Sequence, residues 1–238
     1  MRIAVLGLGR MGWHLAAHLS DSAVVDELAV FDVVDGLASR WADENSGEVA
    51  DSVTSAVTGA EFIITSLPAD QELQVVADEL VSVIGTGAVW VDHSTVSARL
   101  ARTVSASVSA ADAYFLDAPV SGGVDGARKG VLTVMVGGDE GAFARAEPVV
   151  GSYASRIRRM GGPGAGQLTN TEWWGDVSAS AQGPLLDMRN FKHSKFKGTA
   201  YTWARHEQAQ KHGTRRRKRQ VNSLADGDYL LKSTEVRR

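Results

Sequence analysis

The sequence predicts an α/β protein with a doubly wound, mostly parallel sheet. Short apolar segments alternate along the chain with stretches of helical periodicity, as in βαβ units whose strands are buried on both faces. The first apolar segment also ends in glycines and leads directly into a helical stretch, which is typical of a nucleotide-binding turn.

The individual elements follow from apolar runs for strands and from periodicity for helices. Helical spacing is found from Arg10 to Leu19 and from Asp70 to Ile84. Asp139-Glu140 place negative charge where a helix from Gly141 to Val150 would begin. The predicted strands run from Arg2 to Gly7, Leu28 to Asp32, Phe62 to Ser66, Ala88 to Asp92, Tyr114 to Asp117, Leu132 to Gly137 and Arg156 to Met160.

The composition changes in the last third of the chain. Residues 171–238 carry 14 Lys and Arg against 7 Asp and Glu, and Val, Leu, Ile and Phe supply only 10 of these 68 residues. So small an apolar share rarely buries enough surface to hold a fold. We therefore divide the chain into a domain of residues 1–163 and an irregular or disordered basic C-terminal segment of residues 164–238. Nucleic acid binding by this segment is not expected, because a solvated tail explains its charges more simply.

Cysteine and membrane signals are lacking in the sequence. The chain has no cysteine, which excludes a disulfide, a thiolate metal site and a cysteine nucleophile, and no metal site is predicted. No apolar run is long enough for a membrane helix. A cytoplasmic protein without a membrane partner is the expectation.

The segment Gly7-Leu8-Gly9-Arg10-Met11-Gly12 joins the first predicted strand to the first helix. Gly7 permits the tight turn, Gly9 lets a pyrophosphate approach the backbone, and Gly12 lets the helix pack close to the sheet. The helix N-terminus offers free N–H groups to the phosphates. A glycine-rich turn without a ligand is the alternative, but the position between strand and helix favours a Rossmann-type dinucleotide site.

Asp32 ends the second predicted strand. An acidic side chain at this point accepts hydrogen bonds from the adenosine ribose hydroxyls and repels a 2′-phosphate. No arginine occurs in the five residues after Asp32, so NAD is preferred over NADP as the predicted cofactor. A solvated aspartate at a strand end is the alternative interpretation.

Three further motifs follow the glycine loop in order: Thr65-Ser66-Leu67-Pro68, Asp92-His93-Ser94-Thr95, and the glycine-rich block from Asp117 to Gly138. Together they resemble the β-hydroxyacid dehydrogenase family over the part of the chain from Met1 to Thr169. The resemblance implies an NAD-dependent oxidoreductase that transfers hydride between nicotinamide and a small 3-hydroxy acid or semialdehyde. Family members are homo-oligomers, an expectation that is doubtful here without a recognisable C-terminal domain.

The resemblance also implies roles for particular residues. Leu67-Pro68 would lie beside the nicotinamide ribose, Ser94-Thr95 would face nicotinamide and substrate, and Ser121-Gly122-Gly123 would bind the substrate carboxylate through backbone N–H groups and a hydroxyl. The residues themselves permit simpler interpretations. Ser94-Thr95 could be an N-cap pair for the following helix, and Ser121-Gly122-Gly123 could be a tight turn between two strands.

The family's acid–base lysine is missing. It belongs in Gly-x-Gly-x-x-x-Lys, and here the residue that follows the matching segment Gly164 to Thr169 is Asn170. Asparagine cannot act as a base near neutral pH, and loss of general acid–base catalysis costs about 10²-fold to 10⁴-fold in rate. A non-catalytic NAD-binding protein is therefore the alternative function. A frame change in the coding DNA would explain both Asn170 and a vestigial segment from Thr171.

Overall fold

The computed structural model describes residues 1–171. Residues 172–238, and with them most of the predicted basic segment, lie outside the described residues. The strands are β1 Arg2–Leu6, β2 Glu27–Phe31, β3 Glu48–Val49, β4 Phe62–Thr65, β5 Val89–Asp92, β6 Tyr114–Asp117, β7 Val120–Ser121, β8 Leu132–Gly137 and β9 Ala154–Gly161. The helices are α1 Gly12–Ser20, α2 Leu37–Glu44, α3 Val53–Val57, α4 Asp70–Leu80, α5 Ala98–Ala110, α6 Gly123–Arg128, α7 Glu140–Val150 and α8, residues 165–171.

One sheet contains all of these strands, in the order β3-β2-β1-β4-β5-β6-β8-β7, with β9 paired to β8. Strands β1 to β6 run parallel, β8 is antiparallel to β6 and β7, and β9 is parallel to β8. The predicted doubly wound, mostly parallel sheet is confirmed. The order of the strands reverses at β1, since β2 lies on one side of it and β4 on the other. In such sheets, ligands bind in the crevice at the carboxyl ends of the strands next to this point.

Apolar residues cover both faces of the sheet. Alternate residues of β1 show this directly, because Ile3 and Val5 pack into one buried cluster while Ala4 and Leu6 pack into another. The first cluster includes side chains of α1, α2 and α7, and the second includes side chains of α3, α4 and α5. Burial on both faces explains why the strands are continuous apolar runs in the sequence.

All predicted strands and helices are present in the structure, with ends shifted by a few residues. The elements that sequence reasoning did not identify are mostly short, such as β3, β7, α3 and α6, and such segments hold too few residues to show a period. Residues 165–171 belong to the segment predicted to be irregular, but they are helical. The division of the chain at residue 163 stays a prediction. Among the described residues, no helix is long and apolar enough to cross a membrane.

Candidate dinucleotide and substrate site

The glycine loop connects β1 to α1 at the carboxyl edge of the sheet. Gly7 has φ +92°, a conformation that favours glycine, and a Cβ there would lie 2.6 Å from the Ser66 carbonyl oxygen. A Cβ on Gly12 would overlap the Gly7 carbonyl oxygen, whereas a Cβ on Gly9 would have no atom of residues 1–171 within 4 Å. The first and third glycines are therefore required by packing, and the space above Gly9 is open.

Asp32 follows β2 and faces this loop. Its Oδ2 accepts a hydrogen bond from the Leu8 N–H at 2.6 Å, and its Oδ1 accepts one from the Val34 N–H at 2.8 Å. The structure thus brings Asp32 to the glycine loop, as the dinucleotide interpretation requires. The next residue, Val33, is 85% exposed and adds apolar surface beside the carboxylate.

A hydrogen-bonded network joins the carboxyl ends of β4 and β5. The Thr65 hydroxyl and the Ser94 hydroxyl each donate to Asp92 Oδ1 at 2.6 Å. The Leu67 N–H donates to Ser94 Oγ at 2.9 Å, and Trp90 Nε1 donates to Thr65 Oγ1 at 2.9 Å. This network ties the loop after β4 to the loop after β5.

Ser94 and Thr95 differ in what they can offer to a ligand. Ser94 is 2% exposed, and its only hydroxyl proton goes to Asp92. Thr95 is exposed. The N-cap of α5 is Ser97, whose hydroxyl accepts from the Leu100 N–H at 3.2 Å, so the interpretation of Ser94-Thr95 as the N-cap pair is wrong.

Asp92 itself is fully buried. Its Oδ2 has no hydrogen-bond partner within the described part of the chain. Burial raises the pKa of Asp92 to about 7, against the opposing effect of the hydrogen bonds from Ser94 and Thr65. Asp92 therefore changes its charge in the physiological pH range.

Ser121-Gly122-Gly123 lies where β7 leads into α6. Gly122 has φ +123° and Gly123 has φ +59°, and both glycines are exposed. The interpretation as a tight turn between two strands is wrong, because helix α6, six residues long, separates β7 from β8. The two exposed glycines leave their backbone accessible at this end of the sheet.

Two residues that sequence reasoning missed hold helix α8 in place. The buried carboxylate of Asp117, at the end of β6, accepts from the Gly164 N–H at 2.7 Å and from the Gln167 N–H at 3.0 Å. The Gln167 side chain donates from Nε2 to the Ser94 carbonyl at 2.7 Å and accepts at Oε1 from the Val96 N–H at 3.2 Å. Burial raises the pKa of Asp117 to about 6. An acid that ends an otherwise apolar strand was the available sequence signal for Asp117.

Asn170 lies one helical turn after Gln167. It is 1% exposed, and its Oδ1 has no hydrogen-bond partner among residues 1–171. The position that the resemblance assigns to a lysine is therefore buried, on the helix whose N-terminus is held by Asp117 at the end of β6.

His93 supports the segment that follows Asp117. Its Nδ1 lies 2.6 Å from the Ala118 carbonyl oxygen and its Nε2 lies 2.8 Å from the Tyr153 hydroxyl. A carbonyl only accepts, so Nδ1 carries the proton and Nε2 accepts from Tyr153. Burial lowers the pKa of His93 to about 4, so this histidine is neutral at pH 7.

The sheet topology, the glycine loop and the acidic residue at the end of β2 define the class as a dinucleotide-binding domain. Residues 2–162 match the model of the NAD binding domain of 6-phosphogluconate dehydrogenase, and the chain belongs to this family. The family resemblance predicted from the sequence is confirmed.

Named relatives are dehydrogenases of hydroxy acids. A 3-hydroxyisobutyrate dehydrogenase of Pseudomonas aeruginosa is 39% identical over 173 residues, which are 70% of this chain and 56% of the relative. An NAD-dependent L-serine dehydrogenase of the same organism is 37% identical over 174 residues, again 70% and 56%. A solved Mycobacterium tuberculosis 3-hydroxyisobutyrate dehydrogenase with L-serine has a TM-score of 0.68 and 29% identity, covering 84% of this chain and 73% of that chain. The chain thus spans little more than half the length of the curated relatives.

Proposed function

We propose that this chain is a β-hydroxyacid dehydrogenase homologue that binds NAD and a small 3-hydroxy acid or semialdehyde, with hydride transfer slowed by Asn170. The observation that carries the proposal is the glycine loop, open above Gly9 and bonded through Leu8 to Asp32, in a chain 39% identical to a 3-hydroxyisobutyrate dehydrogenase over 173 residues.

The residues of the loop fit a dinucleotide. The open space above Gly9 suits a pyrophosphate, and α1 begins directly after the loop, at Gly12, so the partial positive charge of the helix N-terminus would favour the phosphates. Leu67 and Pro68 would flank the nicotinamide ribose. The nicotinamide ring, when bound, accepts or returns the hydride.

NAD is the preferred form in this proposal. Asp32 would exchange part of its backbone hydrogen bonding for the ribose hydroxyls, and its negative charge would repel a 2′-phosphate. Exposed Val33 and Val34 follow it, and neither can neutralise a phosphate.

Substrate would bind at the other side of the same edge. The exposed backbone of Gly122 and Gly123 suits a carboxylate, with Ser121 adding a hydroxyl. Thr95 would present its hydroxyl toward substrate or nicotinamide. Ser94 would act indirectly, by holding the loop after β4 through its bond to Leu67. Asp92 accepts a hydrogen bond from the Ser94 hydroxyl, so that the Ser94 proton would not be available to substrate.

Asn170 favours a second candidate, a non-catalytic NAD-binding protein. An amide at this position can hold a hydroxyl group by a hydrogen bond but cannot take its proton. Asn170→Lys separates the two candidates. A dehydrogenase framework should gain turnover of a 3-hydroxy acid by about 10²-fold or more. Asn170→Met has similar length without a base and serves as the matched control.

Cofactor binding tests the proposal before turnover does. Fluorescence titration of the full chain with NADH and NADPH should give a lower Kd for NADH. Asp32→Ala should raise the NADH Kd about tenfold, while Asp35→Ala, at an exposed neighbouring position, should leave it unchanged. No measurable binding of either nucleotide would overturn both candidates, and tighter binding of NADPH would overturn the preference for NAD.

A further inference from the structure

The side chain of Gln167 forms a link between helix α8 and the loop after β5. It is 1% exposed, and both its amide nitrogen and its amide oxygen bond to one short stretch of backbone. The nitrogen donates to the Ser94 carbonyl at 2.7 Å, and the oxygen accepts from the Val96 N–H at 3.2 Å. The Ser94 carbonyl can only accept and the Val96 N–H can only donate, so the orientation of the amide is unique. An apolar side chain can make neither bond, and an ionised glutamate can make only the bond to the Val96 N–H.

Helix α8 is itself seated on the sheet at close range. Asp117 accepts from the backbone at the start of the helix, at Gly164 and Gln167. A Cβ on Gly166 would overlap the carbonyl oxygens of Asp117 and Met135. The helix N-terminus is therefore held against β6 and β8, and Gln167 adds the connection to β5.

Position 170 is tied to this link by helix geometry. Residues three apart on a helix lie on neighbouring parts of one face, so the side chains at 167 and 170 project from the same side of α8. Both are buried. The hydrogen bonds from Gln167 to Ser94 and Val96 consequently fix the rotation of α8 about its axis, and this rotation determines the direction in which side chain 170 projects.

We propose that Gln167 is a positioning residue that sets the placement of residue 170 relative to the loop 94–96. This inference rests on the proposed function only in taking position 170 as the place of the proton-transferring group. Gln167 acts through other residues, since its amide is already hydrogen-bonded to the backbone of Ser94 and Val96.

The test uses the full chain carrying Asn170→Lys, into which Gln167→Met is introduced. Gln167→Met removes both hydrogen bonds without adding a charge beside the introduced lysine. Gln74→Met is the matched control, because the Gln74 amide is exposed and bonds only to Asp78 in the described structure, at 2.7 Å. The pKa of the introduced lysine is measured by NMR from the side-chain signal that the parent chain with Asn170 lacks, alongside kcat, KM and the NADH Kd.

We expect Gln167→Met to shift the pKa of the introduced lysine and to lower kcat roughly tenfold to a hundredfold, with the NADH Kd changed less than about twofold, since small misplacements of a reacting group are costly. An unchanged pKa of that lysine in the folded Gln167→Met variant overturns the proposal. If the Asn170→Lys protein is inert but its lysine pKa responds to Gln167, the proposed function fails and the positioning role stands.

Discussion

The burial of the Asp92 carboxyl predicts how the free energy of unfolding depends on pH. Its pKa is about 7 in the folded chain and 3.8 in the reference state, so the folded chain binds more protons between these values. Stability supplied by the neutral form is present below pH 3.8 and is lost as the pH rises through 7. One pKa unit corresponds to about 1.36 kcal/mol, so the loss amounts to roughly 4 kcal/mol.

Asp92→Asn removes this dependence while keeping the oxygen that accepts from Thr65 and Ser94. The new amide N–H takes the place of Oδ2, which has no partner in the described part of the chain, so the variant has an unsatisfied donor there at every pH, as the protonated carboxyl of the wild type has at low pH. We therefore expect the free energy of unfolding of the variant, relative to that of the wild type, to increase by roughly 3 kcal/mol between about pH 5 and 8.5, because the wild type loses stability up to its folded pKa of about 7 and the variant does not.

Urea unfolding followed by circular dichroism at half-unit steps between about pH 5 and 8.5 measures this difference. The contributions of Asp117 and His93 are common to both proteins and largely cancel in it. Asp35→Asn, at an exposed position, is the control. Parallel stability curves for the wild type and Asp92→Asn would refute the reasoning, because they would mean that Asp92 binds no extra proton on folding.

Three other predictions follow from the same contacts. Gly12→Ala should lower the Tm and abolish NADH binding, whereas Gly9→Ala should keep the Tm but raise the NADH Kd about tenfold or more; equal Tm losses would contradict the loop geometry. The pKa of His93 is about 4 in the folded chain and 6.5 in the reference state, so lowering the pH from 6.5 to 4 should reduce the free energy of unfolding by about 3 kcal/mol. His93→Gln should not show this loss, and urea unfolding at the two pH values measures the difference. Gly166→Ala should destabilise the chain by several kcal/mol, on the order of an overpacked core. Gly162→Ala, whose Cβ would have no atom of the described residues within 4 Å, should be nearly neutral in thermal unfolding.

The glycine loop shows how far local sequence reaches. Strand, turn and helix are adjacent in the chain, and the steric demands on Gly7 and Gly12 arise within a few residues of one another. The pairing of Asp32 with this loop was also within reach, because β1 and β2 of a parallel βαβ unit are neighbours whose carboxyl ends meet at one edge.

The part of the site built by β5, β6 and α8 could not be predicted from local sequence in the same way. The sequence predicted that Ser94 binds a ligand, and only the structure shows that its hydroxyl donates to Asp92 and accepts from the Leu67 N–H. Asp117 and Gln167 lie inside segments that carry the family resemblance, but nothing in those segments indicated that their side chains hold the helix on which residue 170 lies.

The sequence by itself determined the parallel α/β fold and the dinucleotide loop, because apolar periodicity and glycine spacing are local properties of the chain. Tertiary structure alone decided which polar groups are already bonded to one another and which are left for a ligand. The Gln167 amide and the Ser94 carbonyl are 73 positions apart, and no local pattern records a hydrogen bond over that separation. The burial that moves the pKa values of Asp92 and His93 likewise exists only when the strands and helices have packed together.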